Sequence, residues 1–130
     1  MEHANLLAAW LGILAGFVAG AVQGLFFHAD GWLGGYASWR RRMLRLGHIS
    51  FFGLAGINLA YVVSVPLLAP ASLGPWPARL FIVGAITMPL VCYLSAFHKP
   101  FRHLFPVPVT ALLVGAAWFT TEGFLLCGSR

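Results

Sequence analysis

The chain has 130 residues, of which 60% are hydrophobic and only 8% are charged, with a formal net charge of +5. A soluble domain carries roughly 25% charged residues, so this chain has about a third of the charge that a water-exposed surface needs. This composition argues against a soluble globular domain, a disordered chain and a nucleic-acid binder, because the basic balance comes from few side chains. The length fits a single domain.

Four apolar runs are long enough to cross a bilayer. A helix needs about 20 residues to cross roughly 30 Å of hydrocarbon. The runs predict helices at about 6–28, 48–69, 79–97 and 104–126, in one four-helix transmembrane domain that covers residues 1–130. Backbone amides find no water in lipid, so each run is expected to be helical, and none shows the alternation of a barrel strand. The predicted fold class is an all-α integral membrane protein.

The Lys and Arg side chains predict the orientation. Six of the eight lie in the connections after the first and third spans: Arg40, Arg41, Arg42, Arg45, Lys99 and Arg102. The other side carries only Arg79 and Arg130. The positive-inside rule then places both basic loops in the cytoplasm and both termini outside, in an up-down-up-down bundle. The predicted location is the cell membrane, of the bacterial inner-membrane type. Within the first basic loop, residues 36–46 are predicted to form a short interfacial helix.

Small residues follow one face of the first span. Glycine stands at every fourth position, as Gly12, Gly16, Gly20 and Gly24. Residues four apart share a helix face, and glycines there let another backbone come close in lipid. We call these four residues the glycine face. The pattern leaves its partner open: a helix of the same chain, a second copy, or another integral membrane subunit.

Two polar side chains within the spans are candidate functional residues. Asn58 lies near the predicted midplane of the second span, where an asparagine usually forms an interhelical hydrogen bond worth on the order of 1 kcal/mol. Glu122 is the only acid within a span, close to the outer interface. Intramembrane acids often serve proton or ion transfer. Here the alternatives are contact with headgroup water or an ion pair with Arg79.

Histidines mark the predicted cytoplasmic ends of the four spans. They are His28, His48, His98 and His103. Imidazole ligates metals and haem iron, and helical bundles build such sites from facing helices. We therefore predict a haem b held by two of these histidines, or a divalent metal held by a neighbouring pair with Asp30. The alternative is a polar interfacial rim without a cofactor. In outline the arrangement is similar to small membrane-embedded b-type cytochromes.

These observations give three functional hypotheses. The first is a small subunit of a larger membrane complex of the electron-transfer type, respiratory or photosynthetic. The second is a cofactor-free structural or assembly subunit, and the third is a small oligomeric transporter or channel. The sequence has no nucleophile–base motif and no phosphate or dinucleotide fingerprint, so we expect no catalytic activity of its own. The expected partners are the lipid bilayer and other integral subunits, or a second copy, through the glycine face.

Overall fold

The computed structural model describes residues 2–68 and 74–125, with side chains as far as residue 123. The described part is all-helical and has four helices that are long and apolar enough to cross a membrane. Three of them are α1 (Glu2–Gly24), α2 (Trp39–Leu68) and α3 (Trp76–Phe97). The fourth is the helical segment Lys99–Gly123, which consists of a 3₁₀ turn (Lys99–Leu104), α4 (Pro106–Thr120) and the beginning of a π turn (Thr121–Leu125). A further 3₁₀ turn, Trp32–Gly34, lies between α1 and α2. The predicted all-α class and the four apolar spans are confirmed. The predicted helix ends at 69 and 126, and Arg130, lie outside the described residues.

Helix α2 begins at Trp39 rather than at the predicted residue 48. Ser38 caps it, because the backbone N–H of Arg41 donates a hydrogen bond of 3.2 Å to the Ser38 Oγ, as N-cap serines do. Arg41, Leu44 and Gly47 are all buried and recur at helical spacing, so the arginine-rich segment has one inward face. The interfacial segment and the second span therefore form one helix of 30 residues, about 45 Å long.

Helix α1 ends at Gly24 rather than at the predicted residue 28. The next backbone hydrogen bonds run from Phe26 to Gln23 (3.1 Å) and from Phe27 to Gly24 (3.2 Å). This spacing of three residues tightens the last turn and ends the helix. Phe26 then stacks on Trp32, with ring centroids 5.2 Å apart, which turns the chain back toward α2.

Helices α2 and α3 form the centre of the molecule. Helix α1 packs against both of them, and α4 packs against α3. Among the described residues, no Cα atom of α1 lies within 8 Å of one in α4, so the helices do not close into a square bundle. Aromatic rings connect α4 to α2, because the Tyr61 ring lies 5.6 Å from Phe81 and 5.3 Å from Phe119.

The glycine face of α1 packs against α2 within the same chain. A Cβ atom added at Gly16 would lie 2.7 Å from the Phe52 ring, and one added at Gly20 would lie 2.7 Å from the His48 ring. At Gly12, an added Cβ would lie 3.2 Å from a backbone oxygen of α2. Gly24, in contrast, has no such neighbour within 4 Å. Three of the four glycines thus make room for α2 and its aromatic side chains.

We expect Gly16→Leu to destabilise the fold, because the added side chain would push α1 away from Phe52. Overpacking of this kind costs about 1–3 kcal/mol. Thermal unfolding in detergent would measure the effect, with Gly24→Leu as the matched control because that position is open. Equal melting temperatures for the two variants would contradict this packing.

Candidate functional site

Two buried asparagines connect three helices. The side-chain amide of Asn5 donates to the Asn58 Oδ1 (2.8 Å) and to the backbone oxygen of Ala78 (3.0 Å). The Asn58 amide donates to the backbone oxygens of Leu54 (2.9 Å) and Phe81 (3.4 Å). Both asparagines are fully buried. The pair therefore joins α1, α2 and α3 at one point.

Sequence reasoning singled out Asn58 and missed its partner. Asn5 falls just before residue 6, where the first span is predicted to begin, so the predicted span does not include it. In the structure α1 already begins at Glu2, which brings Asn5 inside the helix. Its Oδ1 is buried and has no hydrogen-bond partner among the described residues.

We expect Asn58→Ala to lower the stability of the protein by about 1–2 kcal/mol, since it leaves the Asn5 amide with one partner fewer. Thermal unfolding in detergent would measure the loss. Thr87→Ala is the control, because the Thr87 hydroxyl bonds only to Val83 of its own helix, at 2.6 Å. If both variants unfold at the same temperature, the asparagine pair does not stabilise the bundle.

His48 is the one predicted ligand that packs between helices in the described structure. Its ring occupies the space left by Gly20 and meets the Phe52 ring edge-on, with centroids 5.4 Å apart. The Nδ1 atom is buried and has no hydrogen-bond partner. One nitrogen of a neutral imidazole carries no proton and can bind a metal. This histidine therefore has the donor that a ligand role needs.

The other three histidines are exposed. His28 lies in the turn after α1, His98 caps the C-terminus of α3, and His103 lies in the second 3₁₀ turn. Within residues 2–68 and 74–123, no three His, Cys, Asp or Glu side chains are grouped as a metal ion would require. Haem ligation needs only two imidazoles, so the absence of a three-residue group does not test the haem prediction.

Arg41 is a buried cation that the sequence did not distinguish from its neighbours. Its side chain is only 5% exposed and donates a hydrogen bond of 3.3 Å to the backbone oxygen of Asp30. Its guanidinium lies 5.5 Å from the Trp32 ring centre and 5.6 Å from that of Tyr36. Arg45 lies over the same Tyr36 ring, at 4.0 Å. These contacts, which stabilise a cation without a carboxylate, hold the loop after α1 against α2.

Two further polar side chains, Gln23 and Glu122, lie near the ends of the apolar helices. Gln23 donates from its amide to the Tyr93 hydroxyl at 3.3 Å, which links α1 to α3. Glu122 lies in the π turn after α4 and is partly exposed. Arg79 lies over the Trp76 ring, 5.2 Å from its centre, and forms no ion pair with Glu122 in the described structure.

An open apolar cavity of about 450 Å³ lies between α1 and α3, with α2 behind it. We call it the α1–α3 groove. The α1 wall consists of four small residues and two leucines: Ala4, Leu7, Ala8, Leu11, Gly12 and Ala15. The other wall comes from α3: Ile82, Ala85, Ile86 and Pro89. In a membrane this groove would face hydrocarbon, not water, and its small side chains would let another apolar chain approach closely.

The chain matches no protein-family model, no curated protein and no solved structure.

Proposed function

We propose that this chain is a small multi-pass subunit of a larger membrane complex, in an up-down-up-down bundle with its basic loops in the cytoplasm and both termini outside. The order of the helix contacts supports this topology. Gly12 lies against Ala55 whereas Gly20 lies against His48, so residue numbers rise along α1 as they fall along α2. Gly115 of α4 likewise lies against Phe81 of α3.

The remaining pairs of helices agree with this topology. Along α2 and α3, Gly47 lies against Tyr93 whereas Asn58 bonds to Phe81. Along α3 and α4, Gly84 lies against Leu112 whereas Phe81 lies against Gly115, so residue numbers rise along α4 as they fall along α3. Consecutive helices therefore run in opposite directions, which brings the two basic connections to the same end. The positive-inside rule assigns that end to the cytoplasm.

The observation that carries the subunit proposal is the open α1–α3 groove. The glycine face is already occupied by α2 at three of its four positions, so a partner helix would need an open surface beside it. The groove offers one, because Ala4, Ala8 and Ala15 place little side-chain volume between the α1 wall and a neighbour. Close packing of small residues is a main source of helix association in lipid. A transmembrane helix of another subunit is the occupant that we propose.

We expect Ala8→Phe to release the chain from its complex, because the new ring would fill the groove. Leu14→Phe is the matched control, since Leu14 is exposed and does not line the groove. Native gel migration of both variants, after extraction from membranes in mild detergent, would measure the association. A wild-type chain that migrates alone, or two variants that migrate alike, would contradict the proposal.

The polar side chains within the spans favour a subunit over a transporter or channel. In the described structure, Asn5, Asn58 and Gln23 direct their amides at other helices or at backbone oxygens. Side chains that are bonded in this way stabilise helix packing and do not line a conducting path. Glu122, the acid considered for ion transfer, lies in the π turn at the end of the fourth apolar segment, Lys99–Gly123.

We further propose that the complex is of the electron-transfer type and that His48 is a haem or metal ligand. The specific support is its imidazole, whose nitrogens have no hydrogen-bond partner among the described residues. Under the proposed topology, His28, His98 and His103 lie at the same end of the molecule and are the candidates for a second ligand. A cofactor-free assembly subunit is the alternative outcome.

Absorption spectroscopy of the chain, purified in mild detergent from haem-sufficient cells, tests this role. We expect a Soret band that His48→Ala abolishes, because the substitution removes an axial nitrogen. His3→Ala is the control, since His3 lies in the first turn of α1, away from the four interfacial histidines. A colourless and metal-free wild-type preparation would exclude the cofactor and leave the assembly role.

A further inference from the structure

A second cavity lies at the end of the molecule that carries the basic loops. It has a volume of about 540 Å³ and lies between the beginning of α2 and the junction of α3 with the following 3₁₀ turn. Its lining residues include the polar Ser38, Arg40 and Lys99 and the aromatic Trp39 and Phe97. We call it the basic pocket. Arg40 comes from the first turn of α2 and Lys99 from the 3₁₀ turn after α3, so the pocket depends on the fold and not on a run of arginines.

The basic pocket has positive charge without a counterion from the chain. Arg40 and Lys99 are both exposed, and neither side chain makes a hydrogen bond or an ion pair with another described residue. The chain has three acids, Glu2, Asp30 and Glu122, and none of them is among the described residues that line the pocket. Two cations in one concave site raise the local positive potential and favour an anion there.

The walls of the pocket are fixed by contacts within the chain. The indole N–H of Trp39 donates a hydrogen bond of 2.7 Å to the backbone oxygen of Ser95. The backbone N–H of His98 donates to the oxygen of Leu94 at 2.8 Å. Two of the carbonyl groups that end α3 are thereby occupied, which reduces the negative charge that they would present to an anion. On the loop side, Gly34 has a φ of +89°, a conformation that suits glycine.

We propose that the basic pocket binds the phosphate group of an anionic phospholipid from the adjoining leaflet. Arginine suits this role because its planar guanidinium bonds two phosphate oxygens at once, whereas lysine supplies a compact charge. The apolar lining identifies a lipid over free phosphate. Phe97 is 56% exposed, and together with Trp39 it offers a surface for the acyl carbons next to the headgroup. The proposal needs a membrane-embedded chain but does not rest on a partner subunit or a cofactor.

Native mass spectrometry of the full chain, released from phosphatidylglycerol or phosphatidylcholine nanodiscs, tests the proposal. We expect one phosphatidylglycerol to stay bound per chain and phosphatidylcholine to be lost. Arg40→Gln and Lys99→Gln should each weaken phosphatidylglycerol binding about tenfold, the effect of losing one hydrogen bond to a charged group. Arg42→Gln is the matched control, because Arg42 is exposed in the same arginine run but does not line the pocket.

Three results would overturn the proposal. Equal retention of the two lipids would show that the headgroup charge is not recognised. An equal loss in all three variants would show a diffuse attraction of the loops and not a pocket. Displacement of phosphatidylglycerol by inorganic phosphate at a similar concentration would make this a site for free phosphate. Failure of inorganic phosphate to compete would support the lipid assignment.

Discussion

Hydrocarbon offers no hydrogen-bond partner to an amide or a charge, and the described structure follows from this constraint. The backbone is satisfied within helices, and the amides of the two buried asparagines bond to each other or to backbone oxygens. The buried cation Arg41 finds a backbone oxygen and two aromatic rings in place of a carboxylate. Arg45 and Arg79 likewise lie over aromatic rings of the chain, those of Tyr36 and Trp76.

Helix α1 packs against α2 and also forms one wall of the open α1–α3 groove. Its glycines bring α2 close and make room for Phe52 and His48. The same spacing of small residues continues toward the N-terminus at Ala8 and Ala4, which line the α1–α3 groove. The row of small residues thus packs against α2 at Gly12, Gly16 and Gly20 and borders the open groove toward the beginning of α1. Since α4 makes no close backbone approach to α1 in the described structure, it does not cover this groove.

The number of helices could be predicted from the sequence, because each apolar run is long enough for one crossing. Their ends could not, because interfacial contacts decide them. Helix α2 extends to Trp39 because Ser38 caps it and Arg41 is buried, and single-sequence patterning does not show that burial. After α1 ends at Gly24, Phe26 stacks on Trp32 across the loop, a contact that the apolar pattern of residues 6–28 does not reveal.

The candidate site was predictable in part. The fourfold spacing of glycines indicates close packing, but only the structure shows that α2 fills this face. Asn58 is conspicuous in an apolar run, whereas Asn5 lies where polar residues are ordinary, so the pair could not be read from the sequence. The basic pocket could not be predicted either, because Arg40 and Lys99 are far apart in the sequence and line one cavity only in the folded chain.

Labelling of single cysteines in membrane vesicles tests the central claim most directly, that the chain crosses the bilayer four times with both basic loops on one side. Arg42→Cys, Lys99→Cys and Glu2→Cys, each in a cysteine-free background, would be treated with a membrane-impermeant maleimide in inside-out and right-side-out vesicles. The account predicts that the first two react in inside-out vesicles and the third only in right-side-out vesicles. Reaction of Arg42→Cys and Lys99→Cys from opposite sides would contradict it.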